Sequence, residues 1–144
     1  MLNLLDQVRV VLVAPAEPGN IGACARAMKT MGLRQLHLVS PRHYPHPDAS
    51  RMAVSAWDVL DAAVVQPTLT AALAGCVARL GVSARQRRIP LPVSDPRSSA
   101  LAVLASANTG PVALVFGNED AGLSNEDLAQ CEARVQIPSA AECR

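Results

Sequence analysis

Hydrophobic positions recur along this chain in two alternating periods. Val8–Pro15 (VRVVLVAP) is an apolar run broken by one charge, the pattern of a strand buried on both faces. Ile21–Met31 follows with apolar residues at helical spacing (Ile21, Cys24, Ala25, Met28, Met31). Asn20 is its expected N-cap and Gly32 its stop. Gln35–Ser40 reads as a strand, Ala49–Val59 as a weaker helix and Ala63–Gln66 as a short strand. Thr68–Ala74 reads as a helix closed by Gly75, and Val77–Ser83 as a strand. Ala84–Arg97 is proline-rich and reads as an irregular functional loop. Ser98–Ala107 is predicted helical, Val112–Gly117 a strand, Asn125–Cys131 a helix and Ala133–Pro138 a last strand.

Strands separated by helices of this length predict an α/β fold, a mostly parallel sheet with helices on both faces. Ligands in such sheets bind beyond the carboxyl ends of the strands. That gathers Pro15–Gly22, Ser83–Arg88 and Gly117–Ser124 at one rim.

Composition narrows the classes. With 144 residues, the chain is long enough for one domain with a real core and too short for two. Half of it is hydrophobic and 17% charged, which excludes a disordered polyelectrolyte. Its aromatics are Tyr44, Trp57 and Phe116 alone, which argues against a reader built from aromatic stacking platforms. No apolar run approaches membrane-spanning length, and no leader pattern opens the chain, so a soluble cytoplasmic domain is expected. The four cysteines lack paired C-x-x-C spacing, and no metal site is predicted. Cys24, Cys76 and Cys131 read as small apolar residues. His43 and His46 read as parts of a surface loop, and His37 as a structural strand residue. The net charge of +1 hides 11 basic and 6 acidic residues over 1–97, against 2 and 6 over 98–144. A local basic patch on a neutral chain suits a polyanion met at one face. On charge alone, a solvated loop fits equally.

Three segments could carry chemistry. Gly19-Asn-Ile-Gly22 lacks the G-x-G-x-x-G of a dinucleotide site, and no Gly-Lys-Ser/Thr of a phosphate loop occurs. Gly22, Arg26 and Lys29 nevertheless share one helix face. Gly22 there is expected to leave room for a ligand, and Arg26 to offer a planar fork to a phosphate. Phe116-Gly-Asn-Glu-Asp-Ala-Gly-Leu-Ser124 runs from a strand through a tight turn into a helix. Val82-Ser-Ala-Arg-Gln-Arg-Arg88 sets small residues before three arginines, which can hold phosphates. Taken singly, a solvated helix face, an ordinary turn and a solvated loop compete with these readings.

Together and in this order the segments resemble the TrmH branch of the SPOUT RNA methyltransferases, most closely the TrmJ-like tRNA 2′-O-methyltransferases. GNIGACARAMKTMGL (19–33), GVSARQRRIPLP (81–92), DPR (95–97) and VALVFGNEDAGLSNEDL (112–128) carry the likeness. The resemblance implies a single domain over residues 1–144, a C-terminal trefoil knot and S-adenosylmethionine as cofactor. Val82, Ser83, Ala84, Gly117 and Ile137 would hold that cofactor through backbone groups. Asn20, Arg26 and Glu119 would be the catalytic residues, and Arg85, Arg87 and Arg88 would meet RNA. It further implies a homodimer and methylation of a ribose 2′-hydroxyl in tRNA, at anticodon-loop nucleotide 32 (cytidine or uridine). Ribosomal RNA as substrate, or a non-catalytic RNA-binding module, are the alternatives. The family continues past the last strand into a Ser-Leu-Asn-Leu motif and a final helix. Here the chain stops at Ala-Glu-Cys-Arg144, so the domain is expected to be cut short there.

Overall fold

The computed structural model describes residues 3–83, 93–94 and 96–136. Among them seven strands form one sheet in the order β3-β2-β1-β6-β4-β7-β5. They are β1 (Val8–Val13), β2 (Gln35–Val39), β3 (Val64–Gln66), β4 (Ala78–Ser83), β5 (Val93–Ser94), β6 (Val112–Phe116) and β7 (Ala133–Gln136). Every pairing is parallel. β6 lies between β1 and β4, with Phe116 in register with both Leu12 and Val82.

The helices are α1 (Pro18–Met31), α2 (Pro47–Ala53), α3 (Trp57–Asp61), α4 (Leu69–Ala72), α5 (Pro96–Ala107) and α6 (Asn125–Leu128). They cover both faces, because alternate residues of each strand point to opposite sides. Val8 and Val10 pack with Ile21, Ala25 and Met28 of α1 on one side. Val11 and Val115 pack with Leu69, Leu73, Leu123 and Leu128 on the other. The charge inside β1 has a structural role: the Arg9 guanidinium donates to the carbonyl oxygens of Ala72 (2.7 Å) and Ala74 (3.0 Å) at the end of α4.

The α/β class and the six predicted strands are borne out, and four details differ. First, α1 starts earlier than Ile21. Glu17 is the N-cap and Pro18 opens the helix, its fixed φ and missing N–H suiting that position. Asn20 is therefore not the cap. Second, Ala49–Val59 divides into α2 and α3, with Val54 at φ 57° ending α2. The apolar spacing runs on across the break, because Ala49, Ala53, Ala56 and Val59 all reach the core. Third, Val93–Ser94 in the expected loop pairs with β7. Fourth, a 3₁₀ turn over Leu4–Gln7 precedes β1. The predicted stop at Gly32 holds, with φ 81°.

The knot implied by the resemblance falls on the C-terminal part of the chain, where residues 84–92 and 137–144 lie outside those described. No helix among the described residues is long and apolar enough to cross a membrane.

Candidate active site

The carboxyl ends of β1, β6 and β4 meet at one rim, as parallel register requires. The loop after β6 is built around Asn118. Its side-chain carbonyl oxygen accepts from Asp120 N (2.8 Å) and Ala121 N (3.1 Å), and its backbone oxygen from Gly122 N (2.8 Å). Its side-chain amide donates to Ala14 O at 2.8 Å, tying this loop to the end of β1. Gly117 must be glycine here, since a Cβ would overlap the backbone of Gly122 and Leu123. Its small size thus serves the loop's own closure.

Glu119 completes the join. Its carboxylate accepts from Ala16 N (3.0 Å), from Glu17 N (2.6 Å) and from the Asn20 amide (3.3 Å). Partial burial alone would raise this carboxyl's pKa. The donated hydrogen bonds outweigh that and hold it below the ordinary value. Glu119 is thus an ionised staple between the β6 loop and the start of α1. Asn20, no longer a cap, is its side-chain partner.

Arg26 is exposed on α1, six positions beyond Asn20 and so about 9 Å further along the axis. Among the described residues its guanidinium has no ion pair, whereas Lys29 is held by Asp58 at 2.9 Å. Gly22 does not open this face to a ligand. It is buried beneath α2, where a Cβ would overlap the carbonyl oxygen of Ala49 and lie 2.8 Å from Ala53 N. Glycine here lets two helices touch.

Val82, Ser83, Phe116, Gly117, Asn118, Glu119, Asp120 and Gly122 line a cleft of about 230 Å³ at the rim. It unites three of the expected cofactor positions with one of the catalytic ones. Ala84, Ile137, Arg85, Arg87 and Arg88 lie outside the described residues. Sequence reasoning missed Asn118, which has the signal of an Asx turn in Gly-Asn-Glu-Asp. It also missed Arg42, an exposed cation whose backbone N–H donates to Pro15 O at 3.1 Å, setting its loop against the same rim.

The remaining titratable groups read as structural. Burial pushes the Cys24 and Cys131 thiols up to about 11. The histidine loop is exposed, and His46 caps α2 by accepting from Asp48 N at 3.0 Å. His37 lies half-buried in β2, where burial and then the nearby Arg9 lower its pKa.

Comparison with known proteins adds to this geometry. A model of the SpoU rRNA Methylase family matches residues 7–144. The tRNA (cytidine/uridine/adenosine-2′-O-)-methyltransferase TrmJ of Pseudomonas aeruginosa is 56% identical over 137 residues, 94% of this chain and 53% of that protein. The crystal structure of TrmJ from Z. mobilis superposes with a TM-score of 0.88 at 36% identity, over 93% of this chain and 59% of that one. The SpoU methyltransferase AviRb from Streptomyces viridochromogenes, solved with AdoMet, gives a TM-score of 0.66 at 22% identity. That match covers 97% of this chain and 51% of the other, and is a likeness of fold alone. The chain spans about half the length of the curated relatives it matches. With the family's model matched over all but its first six positions, this chain belongs to the SpoU rRNA methylase family.

Proposed function

We propose that this chain carries the catalytic domain of an S-adenosylmethionine-dependent RNA 2′-O-methyltransferase acting on tRNA, at nucleotide 32 of the anticodon loop. One observation above all supports this reading. The Glu119 staple joins the helix bearing Asn20 and Arg26 to the loop lining the Val82–Ser83–Gly117 cleft.

The residues present fit the cofactor. Val82 and Phe116 give the cleft apolar walls, while Glu119 and Asp120 bring negative charge. That combination suits a flat adenine joined to a cationic sulfonium. When bound, S-adenosylmethionine supplies an electrophilic methyl group, so the protein's task is largely positioning. Ala84 and Ile137 complete the pocket in this proposal.

Glu119 is a poor proton acceptor, because its carboxylate is already bound by backbone donors and its pKa is depressed. Arg26 offers only N–H donors and no acceptor, so it is equally unsuited to remove a proton. Its role is to grip the nucleotide's phosphate and stabilise the negative charge that develops at the ribose oxygen as the hydroxyl proton passes to solvent water. Asn20 and Glu119 are positioning residues that fix the start of its helix. Arg85, Arg87 and Arg88 bind the RNA backbone.

The enzyme works as a cytoplasmic homodimer in this reading. Met31, Leu101 and Leu104 are 58%, 66% and 40% exposed. Met31 and Leu104 also line an apolar groove of about 370 Å³, which offers a partner surface. The test is methyl transfer from labelled cofactor to unmodified tRNA, with the modified nucleotide mapped by mass spectrometry. Labelling of a base, or of ribosomal RNA in preference to tRNA, would refute the substrate assignment.

A further inference from the structure

Trp57 opens α3 with 56% of its surface exposed. It is nevertheless held, for its indole N–H donates to the Ser50 carbonyl oxygen at 2.9 Å. That bond ties one edge of the ring to α2 and leaves a preorganised aromatic surface. The next residue, Asp58, accepts from Lys29 of α1 through both carboxylate oxygens, each at 2.9 Å. Lys29 follows Arg26 by three positions on the same helix face, about one turn away. Asp58, the residue after the ring, thus ties the start of α3 to the stretch of α1 that carries a guanidinium with no ion pair among the described residues.

We propose that Trp57 contacts the RNA substrate by stacking on one unpaired nucleobase while Arg26 holds a neighbouring phosphate. The proposal rests on the RNA methyltransferase reading above. The surroundings favour a base over a protein partner. A tryptophan that anchors a protein interface is surrounded by a packed apolar patch. Trp57 instead lies in a stretch whose exposed residues are mostly polar, Ser50, Arg51, Ser55 and Asp58, with Met52 and Val54 as the exposed apolar ones. The local carboxylates are largely balanced, Asp58 by Lys29 and Asp48 by Arg51 at 3.3 Å, leaving Asp61 at the far end of α3. A chain with few aromatics is no general stacking reader, but one fixed ring is sufficient for one base.

Trp57 is the sole tryptophan of the chain, so intrinsic emission reports this position alone. The experiment titrates the 144-residue chain with an unmodified tRNA transcript, while anisotropy of labelled tRNA follows binding independently. Saturable quenching at the Kd given by anisotropy is expected, with none from heparin. Trp57→Leu should weaken binding on the order of tenfold, and Trp57→Phe should restore most of it. Comparing two bulky apolar replacements, both checked by circular dichroism, separates stacking from folding. Binding by anisotropy with unchanged emission, or a Leu variant that binds like the parent, overturns the proposal and leaves the RNA reading standing. No binding by anisotropy overturns both. Emission that shifts to the blue with protein concentration alone assigns the ring to a contact between copies, and also overturns it.

Discussion

The Glu119 carboxylate accepts the backbone N–H of Glu17 at 2.6 Å, although 102 positions separate them. The depressed pKa of Glu119 means that its contribution to stability is present above the unfolded value of 4.5. It is lost as pH falls through the lower folded value. Glu119→Gln removes that part of the acid dependence, measurable as a flatter melting-temperature profile below pH ~4.5. Glu119→Ala releases the start of α1, and methyl transfer should fall on the order of a hundredfold. A variant with the parent's turnover and acid profile would mean that the staple is incidental.

Gly22→Ala inserts a methyl group into backbone. The added Cβ meets Ala49 O and Ala53 N, neither of which can swing aside. Separating α1 from α2 should cost about 1–3 kcal/mol, read by urea denaturation. Were Gly22 open for ligand approach instead, stability would be unchanged and only ligand affinity would suffer.

Arg26 and the arginines that follow β4 should separate in kinetics. Arg26→Ala is expected to lower turnover by orders of magnitude while costing RNA affinity no more than the one phosphate contact it makes. Arg26→Lys keeps the charge, loses the fork and should recover little. Alanine at Arg85, Arg87 or Arg88 should instead weaken binding of all RNAs, each phosphate contact lowering the salt slope by about one. Full rate from the Lys variant would show that Arg26 acts as a point charge.

Ser83 and Gly117 line the same cleft but should differ under substitution. If backbone groups hold the cofactor as proposed, Ser83→Ala is expected to be mild, within about threefold in cofactor affinity by calorimetry. Gly117→Ala forces the turn against Gly122 and Leu123. It should therefore lower both thermal stability and cofactor affinity. Loss of affinity at unchanged stability would instead assign Gly117 a purely ligand-facing role.

The period of apolar residues disclosed the sheet, its parallel sense and the rim where the loops meet. It could not disclose the split between α2 and α3, because Ala53 and Ala56 preserve core spacing across the turn at Val54. Nor could it separate two uses of glycine. Helical spacing suggests room for a ligand at Gly22, whereas the space above both Gly22 and Gly117 is filled by this chain's own backbone. Asn20 and Glu119 were singled out through family likeness, and their direct contact is a tertiary fact that no local pattern contains. The two-residue β5 is too short to carry a period at all.

The insertion of β6 between β1 and β4 bears on how the chain is made. β1 leaves the ribosome just ahead of β2 and can recruit it at once, but its other neighbour begins only at Val112. At about 5–20 residues per second, the intervening stretch takes roughly 5–20 s to synthesise. Throughout that interval one edge of this largely apolar strand stays open, a template for pairing with another nascent chain. Soluble yield should therefore depend on elongation speed between β1 and β6, and synonymous codons there become a folding variable even though the finished protein is identical.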